Sequence, residues 1–323
     1  KALVTGASGF IGRRLVSALV DRGVDVVAVR RKGSPEPKRA RSVVVEYDDV
    51  GALTKVVGDE KPDYVVHVAG ATKGVTYEDF RRANVMPTEN LLAALERAHP
   101  GVKRFVHLSS LTSYGPSAPG KPHTEDAPRR PIEHYGESKL EAERAVEARG
   151  AALAWTILRP GGVYGPGDVD YFELFKTATR GLNVFFGNKE RLFSAIHVDD
   201  LVRAIDAAAT SDATRGKGYF VAEGAPLTWG AFQREIVEAS GRRARTLDLP
   251  EAFVGFAAFG GELLTKLDKK PRLFNKQKAK MGAQEAWTCD GSALVRDAAF
   301  TPQISVADGV RRTLDWYRAE GWL

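Results

Sequence analysis

The sequence predicts a doubly wound parallel α/β sheet, and three observations carry that prediction. Short apolar runs alternate with amphipathic helical stretches through the first half of the chain. The first run, Lys1-Ala2-Leu3-Val4-Thr5, passes directly into Gly6-Ala7-Ser8-Gly9-Phe10-Ile11-Gly12. A segment with Leu15, Val16, Leu19 and Val20 on one side follows, so the order is strand, glycine turn, helix. At 323 residues the chain exceeds a typical single domain, so a smaller second lobe is expected beside the sheet.

Each element has its own signal. Apolar, β-branched runs place strands at 1–5, 24–30, 42–47, 63–68, 103–109 and 153–159. Helical periodicity places helices at 10–22, 51–58, 76–97 and 133–149. Such alternation implies right-handed crossovers. The Pro- and Gly-rich stretch 115–131 reads as a loop. After Pro160 the pattern becomes irregular, although 197–208 reads as a helix returning to the first domain. We expect a first domain at 1–163, with 196–222 returning to it. A discontinuous C-terminal substrate lobe takes 164–195 and 223–323, including a periodic helix around Val306–Tyr317. Ligand should lie between the two, beyond the carboxyl ends of the strands.

The glycine turn has a chemical reading. A strand feeding a Gly-rich turn and a helix N-terminus presents backbone N–H groups to a pyrophosphate. Glycines remove side chains where phosphate and backbone approach closely. The spacing is G-x-x-G-x-x-G. Further along, Tyr135-Gly136-Glu137-Ser138-Lys139 sets a phenol and an ammonium four residues apart, on one face of a helix. A free tyrosine titrates near ~10. A fixed cation stabilises the phenolate and brings that value toward the working range.

With these residues in view the chain resembles the extended short-chain dehydrogenases/reductases, nearly end to end. The resemblance rests on Thr5 to Gly12, His67-Val68-Ala69-Gly70, Asn84-Val85, Leu108-Ser109-Ser110 and Tyr114-Gly115. It continues through Tyr135 to Lys139, Arg159-Pro160-Gly161-Gly162-Val163-Tyr164-Gly165-Pro166-Gly167 and His197-Val198-Asp199-Asp200-Leu201. The tail segments Trp287-Thr288-Cys289-Asp290, Phe300-Thr301-Pro302 and Trp316 to Trp322 resemble the branch of 3β-hydroxysteroid dehydrogenases and dihydroflavonol reductases.

The resemblance implies a Rossmann-type fold and an NAD(P)-dependent oxidoreductase. Tyr135 would be the general acid that protonates a carbonyl oxygen, or as phenolate the base in the reverse direction. Lys139 would depress the tyrosine pKa and hold the nicotinamide ribose. Ser110 would hydrogen-bond the substrate oxygen, with Ser109 as the alternative. Asn84 matches an asparagine that supports a proton path in related enzymes, and also reads as a structural helix amide. Gly6, Ser8, Gly9, Phe10, Ile11 and Gly12 would cradle the pyrophosphate. Val68, Ala69 and Gly70 would line pyrophosphate and ribose. Asp48, with Asp49 beside it, would hold the adenine, or Asp48 is an ordinary turn residue. Pro160, Gly161, Gly162 and Val163 would approach the carboxamide.

The end of the second strand bears on the cofactor. An acid there would bind the ribose hydroxyls of NAD and repel a 2′-phosphate. This chain reads Val29-Arg30-Arg31-Lys32-Gly33-Ser34, and a guanidinium engages phosphate bidentately. NADP is therefore expected from Arg30 and Arg31, with NAD as the second choice.

Other classes fit less well. The formal charge is +6, but the basic residues are scattered rather than gathered on one face with aromatics, so no nucleic-acid partner is expected. One cysteine, Cys289, excludes an internal disulfide. The six histidines show no metal-ligand spacing, and no metal is expected. No secretory signal or transmembrane span is read, and a cytoplasmic location is expected. The apolar segment 252–261, followed by Lys266, Lys269, Lys270 and Arg272, reads as core, as substrate cover or as a peripheral membrane contact.

Within the family, sugar-nucleotide dehydratases carry Asp-Glu where Leu111-Thr112 stand here. Many sugar-nucleotide epimerases carry an arginine where Phe193 stands, with Arg191 two residues off register. The expected substrate is a ketone or secondary alcohol on a medium-sized, largely apolar skeleton. The alternatives are an NAD-dependent sugar-nucleotide epimerase or reductase, and a nucleotide-sensing regulator without catalysis. A homodimer through a four-helix contact is common in the family.

Overall fold

The computed structural model describes residues 1–250 and 276–323, so the apolar segment 252–261 and the cations after it lie outside the described residues. Seven parallel strands form the central sheet. They are β1 (Ala2–Thr5), β2 (Val26–Arg30), β3 (Arg41–Val44), β4 (Tyr64–His67), β5 (Arg104–Leu108), β6 (Trp155–Pro160) and an edge strand, Lys217–Val221. Their spatial order is edge strand, β6, β5, β4, β1, β2, β3, which reverses direction of build at β1. β1 pairs β2 from Ala2↔Val26 to Thr5↔Val29, and pairs β4 from Ala2↔Tyr64 to Thr5↔His67.

The strands are apolar on both faces because both are covered. On one face Val4, Val106 and Leu158 pack on Leu15 and Val16 of α1 (Phe10–Asp21) and on Leu201 and Ile205 of the helix Val198–Thr210. On the other, Leu3, Val65, Phe105 and Ile157 pack on three further helices. These are α2 (Val50–Glu60), α4 (Met86–Ala98) and α5 (His134–Glu147), which contribute Leu53, Leu91, Leu95 and Val146.

The helix expected over 76–97 is interrupted. A short α3 (Tyr77–Phe80) runs into a π-helical turn, Arg81–Val85, before α4 begins. Pro87 accounts for the break: it has no N–H for the previous turn, so the chain widens its register there. The widened turn carries Asn84 into the interior.

The smaller lobe has its own core. α6 (Phe172–Thr179), α8 (Trp229–Ser240) and the helix Val306–Ala319 enclose Tyr164, Phe175, Phe193, Phe232, Val310, Leu314 and Tyr317. The aromatic tail closes it, with Tyr317 between Phe172 at 5.0 Å and Trp322 at 5.5 Å. Two contacts join later parts of the chain to the sheet. α7 (Val198–Thr210) packs on α1, where Arg14 donates twice to Asp199, from Nε at 2.8 Å and Nη2 at 2.5 Å. Leu294 and Phe300 belong to the core of the sheet, so part of the tail assigned above to the lobe crosses back.

Buried polar groups hold these connections. Asp200 accepts the N–H groups of Gln303 and Ile304 at 2.9 Å each and pairs with Arg203, so it braces the tail. Arg104 donates to the carbonyls of Ala208 and Ser211 at the C-terminal end of α7, where a cation is favoured.

Candidate active site

A cleft of 1230 Å³ opens along the carboxyl ends of β1, β2, β4, β5 and β6, between sheet and lobe. The turn after β1 forms its floor. Gly6 sits at φ +67°, and a Cβ on Gly12 would fall 2.1 Å from the Gly6 carbonyl oxygen. Only glycine lets the helix start this close to the strand. α1 follows Gly9 without a side-chain cap, so its first N–H groups have no side-chain partner, and Gly9 to Gly12 line the cleft. An uncapped helix start over a glycine floor fits a dinucleotide pyrophosphate.

Of the other residues expected around a dinucleotide, all but one line this cleft. Ser8, Phe10, Ile11, Arg30, Arg31, Asp48, Val68, Ala69 and Gly70 line the cleft, as do Pro160, Gly161, Gly162 and Val163. Asp49 does not. Its carboxylate caps α2 by accepting the Ala52 N–H at 2.9 Å. The two arginines also differ. Arg30 is engaged by Ser42 Oγ at 3.2 Å and the Ser34 carbonyl at 3.1 Å, whereas Arg31 is exposed on the rim.

Tyr135, Lys139 and Ser110 share one wall of the cleft. α5 sets the first two. Glu133 caps it, accepting the N–H groups of Tyr135 and Gly136 at 2.6 Å each, which locks the turn that carries the phenol. Burial raises the Tyr135 pKa above its ordinary value, and a hydrogen bond with Ser110 opposes that rise. Burial also lowers Lys139 to about 8, against the attraction of Glu143. Desolvation dominates the Tyr135 pKa, and the depression by Lys139 expected above is not seen. The Lys139 ammonium meanwhile donates to the Leu108 carbonyl at 2.6 Å.

Ser109 and Ser110 separate. Ser109 turns away and donates to Glu143, while Ser110 Oγ faces Thr112 and Tyr135. Asn84 lies behind the wall. Its Oδ1 accepts the Ala71 N–H at 2.7 Å, and its Nδ2 donates to the Ala71 carbonyl at 3.1 Å and Ser138 Oγ at 2.9 Å. That amide clamps the loop after β4 onto α5.

Sequence reasoning missed the charged layer under the wall. Glu143 is fully buried and takes Arg159 at 3.0 and 2.9 Å, Ser113 at 2.8 Å and Arg129 at 3.3 Å. Its only sequence signal is its place four residues after Lys139, on the same helical face. His67 is held neutral: burial lowers it to about 3, and Thr5 and Thr88 bond its two nitrogens at 2.7 and 2.9 Å. Among the described residues no group of three His, Cys, Asp or Glu side chains could hold a metal ion. No described helix is long and apolar enough to cross a membrane.

The opposite wall belongs to the lobe. Tyr171, Leu174, Phe193, Trp229, Met281 and Trp287 line it. Phe193 stacks on Trp229 with ring centroids 4.3 Å apart. Arg191 also reaches the cleft and donates to the Gly282 carbonyl at 2.7 Å. At the mouth, Lys73 and Asp170 pair at 2.9 Å across the two halves.

The parallel sheet, the glycine floor and the cleft define a Rossmann-type enzyme of the NAD(P)-dependent oxidoreductase and epimerase class. The model of the NAD dependent epimerase/dehydratase family matches residues 2–222, and the chain belongs to that family. A ceramide reductase of Caulobacter vibrioides is 29% identical, over 99% of this chain and 95% of that protein. A 3β-hydroxysteroid dehydrogenase/Δ5→4-isomerase of Mycobacterium tuberculosis is 33% identical, over 75% of this chain and 70% of that one. The UDP-glucose 4-epimerase structure from Thermotoga maritima superposes with a TM-score of 0.82 at 23% identity, over 99% of each chain, which is a likeness of fold.

Proposed function

We propose that this enzyme is an NADP-dependent ketone reductase or secondary-alcohol dehydrogenase acting on a medium-sized, largely apolar molecule. One observation carries the reading: the Tyr135–Lys139–Ser110 wall faces a wall of Tyr171, Leu174, Phe193, Trp229 and Trp287 across the cleft. An apolar skeleton is favoured against such a surface, and a carbonyl at its end meets the phenol. The reductase and steroid-dehydrogenase names of the two relatives agree with that substrate class. Phe193, stacked on Trp229, supplies no charge for a nucleotide phosphate.

When bound, the dinucleotide supplies or accepts a hydride. In reduction, Tyr135 gives its proton to the carbonyl oxygen as negative charge develops there, and Ser110 donates a hydrogen bond to the same oxygen. Lys139, which burial already brings to about 8, would hold ribose hydroxyls and stabilise the phenolate left behind. Arg31, on the rim with Ser34, would take the 2′-phosphate.

Calorimetric titration with NADPH and NADH tests the cofactor, and a screen of apolar ketones with Y135F as control tests the chemistry. Tight NADPH binding and turnover lost in Y135F are expected. Protein that purifies loaded with NAD, or Y135F that still turns over, would sink the reading.

A further inference from the structure

We propose that Thr112 is a positioning residue that fixes the polarity of the Ser110 hydroxyl, so that Ser110 donates its one proton, to Tyr135 in the free enzyme or to the substrate oxygen when one is bound, and accepts from neither. The inference deepens the proposed function and rests on Tyr135 as the acid.

Ser110 Oγ receives two hydrogen bonds from one residue. The Thr112 backbone N–H reaches it at 3.2 Å and the Thr112 hydroxyl at 3.0 Å. A hydroxyl oxygen has one proton to give and two lone pairs to fill. Both lone pairs are taken, so the proton is what Ser110 has left to offer. The Tyr135 phenol lines the same cleft, and Ser110 lowers its pKa as a donor does. A carbonyl oxygen gaining negative charge needs a donor, and a donor whose own oxygen accepts other hydrogen bonds is strengthened.

The opposite polarity would work against the reaction. With a free lone pair, Ser110 could accept the phenol proton and draw it away from the substrate. The Thr112 hydroxyl fills the site that would receive it.

The frame that holds Thr112 is rigid. It sits in the 3-10 turn Leu111–Ser113, which Ser110 caps. Ser113 Oγ lies within hydrogen-bond reach of the Ser110 carbonyl at 2.9 Å and of the buried Glu143 at 2.8 Å. A Cβ on Gly136 would fall 2.3 Å from the Thr112 carbonyl oxygen, so the turn lies directly against the start of α5 beside Tyr135. Thr112, Ser110 and Tyr135 all line the cleft.

The test compares T112V, T112S, S110A and Y135F, using NADPH and 2-decalone as the probe ketone. Valine keeps the shape and the backbone N–H but loses the hydroxyl. T112V should lose about tenfold in kcat with KM nearly unchanged and the alkaline limb of its pH profile displaced upward. T112S should restore wild-type behaviour. T112V equal to wild type, with S110A and Y135F impaired, overturns the inference. Turnover by Y135F overturns the Tyr135 reading instead. Neutron diffraction of the deuterated enzyme decides the point without any substrate. A deuteron on Thr112 Oγ1 directed at Ser110, with the Ser110 deuteron directed at Tyr135, supports the inference. A Ser110 deuteron directed at Thr112 overturns it.

Discussion

The Tyr47 hydroxyl accepts the Gly6 N–H at 3.0 Å and returns its own proton to the Val29 carbonyl at 3.1 Å. One buried phenol thus pins the glycine turn after β1 to the end of β2. Asn90 holds Tyr47 in turn, donating to its carbonyl at 2.8 Å. Tyr47→Phe leaves one donor and one acceptor without partners. We expect a loss of about 1–3 kcal/mol of stability, read from urea unfolding. NADPH binding should weaken in the same variant, because the turn proposed to hold the pyrophosphate is released. Unchanged stability and affinity would show that the turn holds itself.

The Glu143–Arg159 pair is a buried charge pair with excellent geometry, at 3.0 and 2.9 Å. Removing one partner leaves the other charge in the interior. Arg159→Met is expected to cost about 3–5 kcal/mol in denaturant unfolding. Arg159→Met with Glu143→Leu should recover part of that loss, since no buried charge is then stranded. A double variant no better than the single one would show that the Ser109 and Ser113 hydroxyls depend on the carboxylate.

Glu223 governs a pH dependence. The Tyr164 hydroxyl donates to its Oε1 at 3.0 Å, while Oε2 is buried without a partner among the described residues. Burial raises its pKa from 4.5 to about 7. A carboxyl raised in the folded state favours folding while protonated. That contribution is complete below 4.5 and is lost as pH climbs through about 7. Glu223→Gln keeps an oxygen for Tyr164 and cannot ionise. Its melting temperature relative to wild type should be higher at pH 8.5 than at pH 5.5, by about 2–4 °C. An equal difference at both values would count against titration of Glu223 in that range.

Arg31 is the cleaner probe of cofactor choice, because Arg30 also supports the loop through Ser34 and Ser42. Arg31→Asp places an acid where a 2′-phosphate would lie. Titration calorimetry should show NADPH binding weakened about tenfold or more, and NADH binding unchanged or improved. Equal losses for both would remove the NADP assignment.

Much of the fold was legible locally. The glycine spacing after β1 and the i, i+4 relation of Tyr135 and Lys139 are covalent neighbourhoods, and both appear as read. The strands at 2–5, 26–30, 64–67, 104–108 and 155–160 lie within the stretches their apolar runs mark, or overrun them by one residue. Asp49 was misplaced because an acid after a strand reads the same whether it faces a cleft or caps a helix. The capping bond to Ala52 N–H made the choice. The break before α4 was announced by Pro87, but its form as a π turn depends on what packs around Asn84.

Sequence alone determined the class of fold, the glycine floor and the Tyr–Lys face, since each depends on residues a few positions apart. Tertiary structure decided the rest. It turned Ser109 toward Glu143 and Ser110 toward Thr112, made Tyr47 the pin of the glycine turn, and let desolvation set the phenol. These outcomes depend on burial and, the Ser110–Thr112 contact aside, on partners 18 to 41 residues away. Neither burial nor distant partners are written in local spacing.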